Sequence, residues 1–200
     1  GENELDAFLA EVKKQSLYEE KSNLKIVYTP LHGTGNIPVR KMLEGMDVTV
    51  VKEQELPDGN FSTVRSPNPE EKDALTIAIE KAKEIGADLV LGTDPDCDRV
   101  GIAVNNGNGE FQLMTGNEVG AMLLNYLLSQ KKEQGTLSKN SIAVKSFVST
   151  DLAEVIAKKY NCTFKNLLTG FKYIGELITQ LESEGRSEDF VMGFEESYGY

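Results

Sequence analysis

Asp88-Leu89-Val90-Leu91-Gly92-Thr93-Asp94-Pro95-Asp96-Cys97-Asp98-Arg99-Val100-Gly101-Ile102-Ala103-Val104 is two apolar, strand-like runs joined by a short acidic loop. The runs are too close in sequence for a crossover connection, so the second strand is expected to run antiparallel to the first. Asp94, Asp96 and Asp98 occupy alternate positions of the loop, and Arg99 follows directly. Alternate positions in an extended segment project to one side. Three carboxylates there would repel one another unless a cation sits between them. Hard cations such as Mg²⁺ take oxygen ligands of this kind. An EF-hand also starts with ligands at positions 1, 3 and 5. It needs a glycine at position 6 and a glutamate at position 12, where this chain has Arg99 and Asn105, and it needs helical flanks.

Upstream, Leu5, Phe8, Leu9 and Val12 follow helical spacing. Leu24 to Thr29 reads as a buried strand. Pro30-Leu31-His32-Gly33-Thr34-Gly35-Asn36 is a turn, and Pro38 suits the first turn of a helix carrying Val39, Met42, Leu43 and Met46. Val48 to Lys52 is the next strand. A loop from Leu56 ends at Asn68-Pro69-Glu70, a helix start, and that helix buries Ala74, Leu75, Ala78, Ile79, Ala82 and Ile85. Downstream, Asn105 to Gly109 is a hairpin-type turn, from which Phe111 to Met114 pairs back.

A second unit begins at Thr115, which forms a capping box with Glu118, ahead of a stripe of Val119, Met122, Leu123, Tyr126 and Leu127. Ser129 to Asn140 reads as a loop, Ile142 to Phe147 as a strand, Asp151 to Lys159 as a helix and Cys162 to Leu167 as a strand. Phe171, Ile174, Leu177, Ile178 and Leu181 mark a helix, and Phe190 to Gly193 a last strand. Alternating helices and strands imply parallel sheets with right-handed crossovers. The expected fold is α/β: two consecutive three-layer units with mixed, mainly parallel sheets, residues 1–114 and 115–200, the second one truncated.

The chain has 200 residues, 40% of them apolar, and a net charge of −11. That charge argues against nucleic acid, which wants a basic face, and against an anionic membrane surface. It leaves anionic small substrates open, because a metal and a few basic groups reverse the sign locally. Cys97 and Cys162 form neither a disulfide framework nor a zinc motif. With no apolar run long enough to span a bilayer, a cytoplasmic protein is expected. The chain starts at Gly1 and stops at Gly193-Phe194-Glu195-Glu196-Ser197-Tyr198-Gly199-Tyr200, just after a strand, so an excised fragment is expected.

Thr93-Asp94-Pro95-Asp96-Cys97-Asp98-Arg99 resembles the metal loop of the α-D-phosphohexomutases, the phosphoglucomutase/phosphomannomutase family. Pro30-Leu31-His32-Gly33-Thr34-Gly35 resembles the turn after the first strand of that family's second domain. Leu168-Thr169-Gly170-Phe171-Lys172-Tyr173-Ile174-Gly175 resembles a loop-to-helix segment of its third domain. Gly193-Phe194-Glu195-Glu196-Ser197-Tyr198-Gly199 resembles its sugar-recognition loop. The four stretches appear in the family's order.

The resemblance implies interconversion of hexose 1-phosphate and hexose 6-phosphate through a phosphoserine and a hexose bisphosphate. It implies Mg²⁺ on Asp94, Asp96 and Asp98, and Arg99 close to phosphate oxygens or bracing the aspartates. Glu195 and Ser197 match residues that contact sugar hydroxyls, Thr169 and Gly170 approach ligand, and Lys145 could face substrate phosphate. Glu195-Glu196-Ser197 leans towards glucose, and the wider sequence towards the branch with phosphopentomutase-type relatives. Nothing here matches the family's Ser-His-Asn-Pro type nucleophile motif of domain I, and domain IV has no counterpart, so the chain alone is expected to be inactive. The alternative is a non-catalytic metal- or sugar-phosphate-binding module. An aspartate-nucleophile phosphatase would need a further lysine and acidic pair that the sequence does not identify. His32 reads as a structural turn histidine and Cys97 as incidental.

Overall fold

The computed structural model describes residues 1–18 and 22–200, and these divide into two compact units, Gly1–Met114 and Thr115–Tyr200. In the first unit the elements run α1 (Glu2–Lys13), β1 (Lys25–Thr29), α2 (Asn36–Met42), β2 (Asp47–Val50), α3 (Thr76–Ile85), β3 (Leu89–Thr93), β4 (Val100–Asn105) and β5 (Phe111–Leu113). The sheet order is β2-β1-β3-β4-β5, with β2, β1 and β3 parallel and β4 and β5 antiparallel to their neighbours. Val27, Val51, Val90 and Ala103 pack with Ala78 and Ala82 of α3 in one cluster. The small alanines let the helix lie close to the sheet, and Gly86 ends it in the left-handed conformation that costs a glycine little.

The second unit runs α4 (Gly116–Glu133), β6 (Ile142–Ser146), α5 (Leu152–Lys159), β7 (Thr163–Leu167), α6 (Phe171–Ser183) and β8 (Phe190–Phe194), with an all-parallel sheet β7-β6-β8. Successive residues of β6 face opposite ways. Ala143 joins Leu124 and Leu128 of α4 and Ala153 and Ala157 of α5, whereas Ile142 and Val144 join Ile174, Leu177 and Leu181 of α6. The sheet is therefore covered on both faces, and β6 is apolar on both, as a central parallel strand must be.

Several local expectations give way. The helix expected to start at Asn68 begins at Thr76, preceded by a 3-10 turn over Lys72–Leu75. Its bonds, such as Ala74 N to Glu71 O at 3.0 Å, span three residues. The Ser129–Asn140 stretch is not all loop, since α4 continues to Glu133. Its charged residues can stay on the solvent side while Leu128 is buried. The face that α4 buries is Val119, Gly120, Ala121, Leu124 and Leu128, and Met122, Leu123 and Tyr126 are exposed. Phe8, counted in the stripe of α1, is exposed as well, and only Leu9 of that helix is buried. Apolarity alone marks a stripe but cannot say which side meets the sheet. Among the described residues no helix is long and apolar enough to cross a membrane.

Candidate functional site

β3 and β4 pair up to Thr93 opposite Val100, so residues 94–99 form the hairpin connection between them. Convergence of the aspartates does not come from an extended backbone. Cys97 N bonds Asp94 O at 3.0 Å and Cys97 takes φ of 63°, so the loop is a tight turn with a left-handed residue at its apex. That turn brings one carboxylate oxygen each of Asp94, Asp96 and Asp98 within 4.8 Å of one another. Among the described residues this is the one His/Cys/Asp/Glu group close enough to share an ion. Asp94 is buried and Asp96 and Asp98 are exposed, so an ion there would meet protein on one side and solvent on the other. The donors are all carboxylate oxygens, which fits a hard divalent cation and not a soft one.

Arg99 braces the group. Its backbone N–H donates to Asp94 Oδ1 at 2.9 Å, and its guanidinium lies 4.0 Å from Asp94, 3.9 Å from Asp98 and 3.5 Å from Glu70. None of these guanidinium contacts is a close bidentate pair, so the arginine offsets charge without neutralising the site. Burial pushes the Asp94 carboxyl up to about 6, aided by hydrogen bonding with Asp96 and Asp98 and opposed by the Arg99 amide. Its folded-state value thus lies above the unfolded value of about 3.9, and the folded protein binds the extra proton between those values. In metal-free protein, stability should therefore fall as pH rises from about 4 to about 6. Asp94→Asn cannot ionise. Its melting temperature relative to the unsubstituted protein should climb through that window by about 2–4 °C, the effect of roughly 1 kcal/mol after allowance for solvent screening. Melting curves in chelator check this. A difference that stays constant from pH 4 to pH 7 removes the raised titration of the buried Asp94 carboxyl.

The Pro30–Gly35 turn lies beneath this loop. Thr34 donates to Pro95 O twice, from N at 2.8 Å and from Oγ1 at 3.1 Å. Leu31 and His32 both take positive φ, a conformation unfavourable for side chains with a Cβ. Anchors on either side hold them there: Leu31 N on Thr29 Oγ1 at 3.1 Å, and His32 N on Gln54 O at 2.9 Å. His32 Nδ1 donates to Leu56 O at 2.8 Å, which leaves Nε2 to accept from Thr63 Oγ1 at 2.7 Å. Both ring nitrogens are thus engaged, as a structural histidine requires. A Cβ on Gly33 would lie 2.5 Å from Pro95 Cα and 2.7 Å from Pro95 O. Gly33→Ala must therefore displace the acidic loop. It should cost about 2–3 kcal/mol in denaturant melts and weaken Mg²⁺ binding together with stability. An unchanged Mg²⁺ affinity in calorimetry would mean that the loop does not depend on the turn.

In the second unit the loops after β6, β7 and β8 share the C-terminal edge of a parallel sheet, where ligands of open α/β folds bind. Glu195, directly after β8, is buried, and its Oε1 accepts from Gly170 N at 2.6 Å. Its own N–H reaches Gly199 O at 2.9 Å, closing the 195–199 loop. Gly170 takes φ of 124°, the Thr169 side chain is exposed, and Ser197 is half-buried. The structure thus joins Thr169-Gly170 to Glu195 through the backbone.

Lys145, expected to face substrate phosphate, is held by protein groups. It is 1% exposed, and its ammonium donates to the carbonyls of Ser149 at 2.9 Å, Ser146 at 3.3 Å and Phe147 at 3.4 Å. A buried ammonium must be compensated, and the carbonyls of the 146–149 turn and the Asp151 carboxylate at 3.4 Å do so. Sequence reading missed Ser146 and Ser149, whose hydroxyls lie 3.0 and 2.9 Å from Glu196 Oε2. The Ser-Phe-Val-Ser spelling carries no motif, so only the fold could bring these residues to Glu196.

The fold is α/β, with an aspartate loop whose oxygen donors suit a hard cation and a carboxylate-bearing loop at the edge of a parallel sheet. Residues 6–108 match phosphoglucomutase/phosphomannomutase alpha/beta/alpha domain II, and residues 115–200 match domain III. The chain belongs to the phosphoglucomutase/phosphomannomutase family. A phosphoglucomutase of Staphylococcus haemolyticus (strain JCSC1435) is 39% identical over 198 residues, 98% of this chain and 35% of that protein. The chain thus spans about a third of the length of the curated relatives it matches. A phosphoglucomutase/phosphomannomutase family protein from Burkholderia thailandensis shares the fold at TM-score 0.73 and 16% identity, over 97% of this chain and 38% of that one. Aspergillus fumigatus N-acetylphosphoglucosamine mutase, solved with GlcNAc-6P and magnesium, does so at TM-score 0.64 and 16% identity, over 96% and 38%.

Proposed function

We propose that this chain is the metal- and sugar-binding part of a cytoplasmic, Mg²⁺-dependent phosphohexomutase that interconverts glucose 1-phosphate and glucose 6-phosphate by way of a hexose bisphosphate. The observation that carries the reading is the convergence of Asp94, Asp96 and Asp98 within 4.8 Å. The naming of curated relatives as phosphoglucomutases supports the substrate. Asp94, Asp96 and Asp98 would hold the ion, which when bound supplies a Lewis acid and a template for phosphate oxygens. Arg99 keeps the aspartates in place and offers its guanidinium to phosphate. Glu195 and Ser197 take adjacent sugar hydroxyls, with the Gly170 N–H holding one oxygen of Glu195 and leaving the other to the ligand. Phosphoryl transfer rests on such positioning and charge stabilisation.

The phosphoserine and the contacts to the distant phosphate come, in this proposal, from domains I and IV of the parent protein. The intact protein should convert glucose 1-phosphate in a coupled assay, lose that activity in chelator and regain it with Mg²⁺. The 200 residues alone should bind without turning over. Turnover by the purified 200-residue chain overturns the division of labour, and chelator-resistant activity of the intact protein overturns the metal assignment.

A further inference from the structure

Glu195 and Glu196 are adjacent, yet their carboxylates serve different loops. Glu195 reaches the β7–α6 connection through Gly170, whereas Glu196 reaches the β6–α5 turn. Around Glu196 the contacts are dense. Ser146 Oγ and Ser149 Oγ lie 2.7 Å apart and both approach Glu196 Oε2, while Glu196 N donates to Ser149 Oγ at 3.0 Å. Both serines are buried. The two hydroxyl protons can fill two of these three oxygen–oxygen contacts, so neither is left for another partner. The Lys145 ammonium holds the carbonyls of Ser146, Phe147 and Ser149 in the same turn.

We propose that Glu196 is a positioning residue: with Ser146 and Ser149 it latches the 195–199 loop to the β6–α5 turn, and so sets the orientation of Glu195 and Ser197 towards the sugar. This rests on the reading of 195–199 as the sugar loop. The latch spends the Glu196 carboxylate on protein hydroxyls, so the residue acts through its neighbours and not on the ligand. Misplacing a binding group by about 1 Å can cost on the order of 100-fold.

The test uses Ser146→Ala/Ser149→Ala, Glu196→Gln and Glu196→Ala in the intact protein. Amide hydrogen exchange of residues 195–199 should speed up at least about tenfold in the serine pair variant and in Glu196→Ala, and less in Glu196→Gln, whose amide oxygen still accepts from the serines. Protection of Ala143 and Val144 in β6 should not change. Exchange unaltered at 195–199 overturns the latch, and so does deprotection that extends into β6, because the serines would then hold the core and not the loop. With glucose 1-phosphate, the serine pair and Glu196→Ala should lower kcat/KM by similar factors of about 10–100, and their combination should be no worse. Full activity in the serine pair beside a loss in Glu196→Ala would make Glu196 a direct ligand contact and end the proposal. Glu195→Ala separates the two ideas: unchanged kcat/KM there counts against the sugar-loop reading, while the exchange result still judges the latch.

Discussion

Asp96→Ala should weaken Mg²⁺ binding by at least about 100-fold while leaving the fold as stable as before, or slightly more so. Affinity for a hard cation is set by the number of charged oxygen ligands, and this change removes one of three. Asp96 is exposed on the turn, and its carboxylate adds repulsion to Asp94 and Asp98 when no ion is present. Loss of binding and gain of stability should therefore appear together, a pairing that a general packing defect cannot produce. Calorimetric titration of Mg²⁺ and melting in chelator read the two halves. Equal Mg²⁺ affinity in both proteins would remove Asp96 from the site.

Gly116→Ala should be the most damaging single methyl group in the second unit. A Cβ there would sit 2.0 Å from the carbonyl oxygen of Glu196 and 2.8 Å from its carbon, backbone atoms with no rotamer to swing away. Gly116 is the first residue of α4, just inside the Thr115–Glu118 capping box, so the helix start is itself fixed: Thr115 N meets Glu118 Oε2 at 2.8 Å. Either the box or the 195–199 loop must yield. We expect a cost of about 3 kcal/mol, a melting temperature lower by about 6–12 °C, and weaker sugar-phosphate binding. Gly175→Ala is the control. It lies within α6 with nothing within 4 Å of the new Cβ, so it should stabilise by about 0.5–1 kcal/mol. A Gly116→Ala protein as stable as the original would show that the α4 start and the 195–199 loop are not in van der Waals contact.

Much of this arrangement could be read from residue order. The alternation of apolar runs with amphipathic segments announced parallel α/β units, because a strand followed at a distance by another in the same sheet needs a crossover. The six residues from Asp94 to Arg99 could only close a hairpin, and β3 and β4 are antiparallel. Thr115 and Glu118 spelled a capping box whose bonds are local, so the spelling sufficed. Expectations failed where the deciding partner lay far away. The α4 stripe was displaced because Gly120 packs against the Phe194 ring, and a glycine carries little periodic signal.

The composition of the carboxylate site was a property of the sequence alone: three aspartates at alternate positions between two strands define an oxygen-donor set wherever the chain goes. Its geometry was not. A left-handed Cys97 turned an apparently extended loop into a tight turn, Pro30–Gly35 came from about sixty residues away to hold Pro95, and the Lys145 ammonium is taken up by carbonyls of the 146–149 turn. Local spacing records which side chains are present and their short-range partners. Which backbone groups must be satisfied by a distant lysine, threonine or glutamate is decided only when the chain closes on itself, because a buried polar group takes whichever partner the fold places within reach.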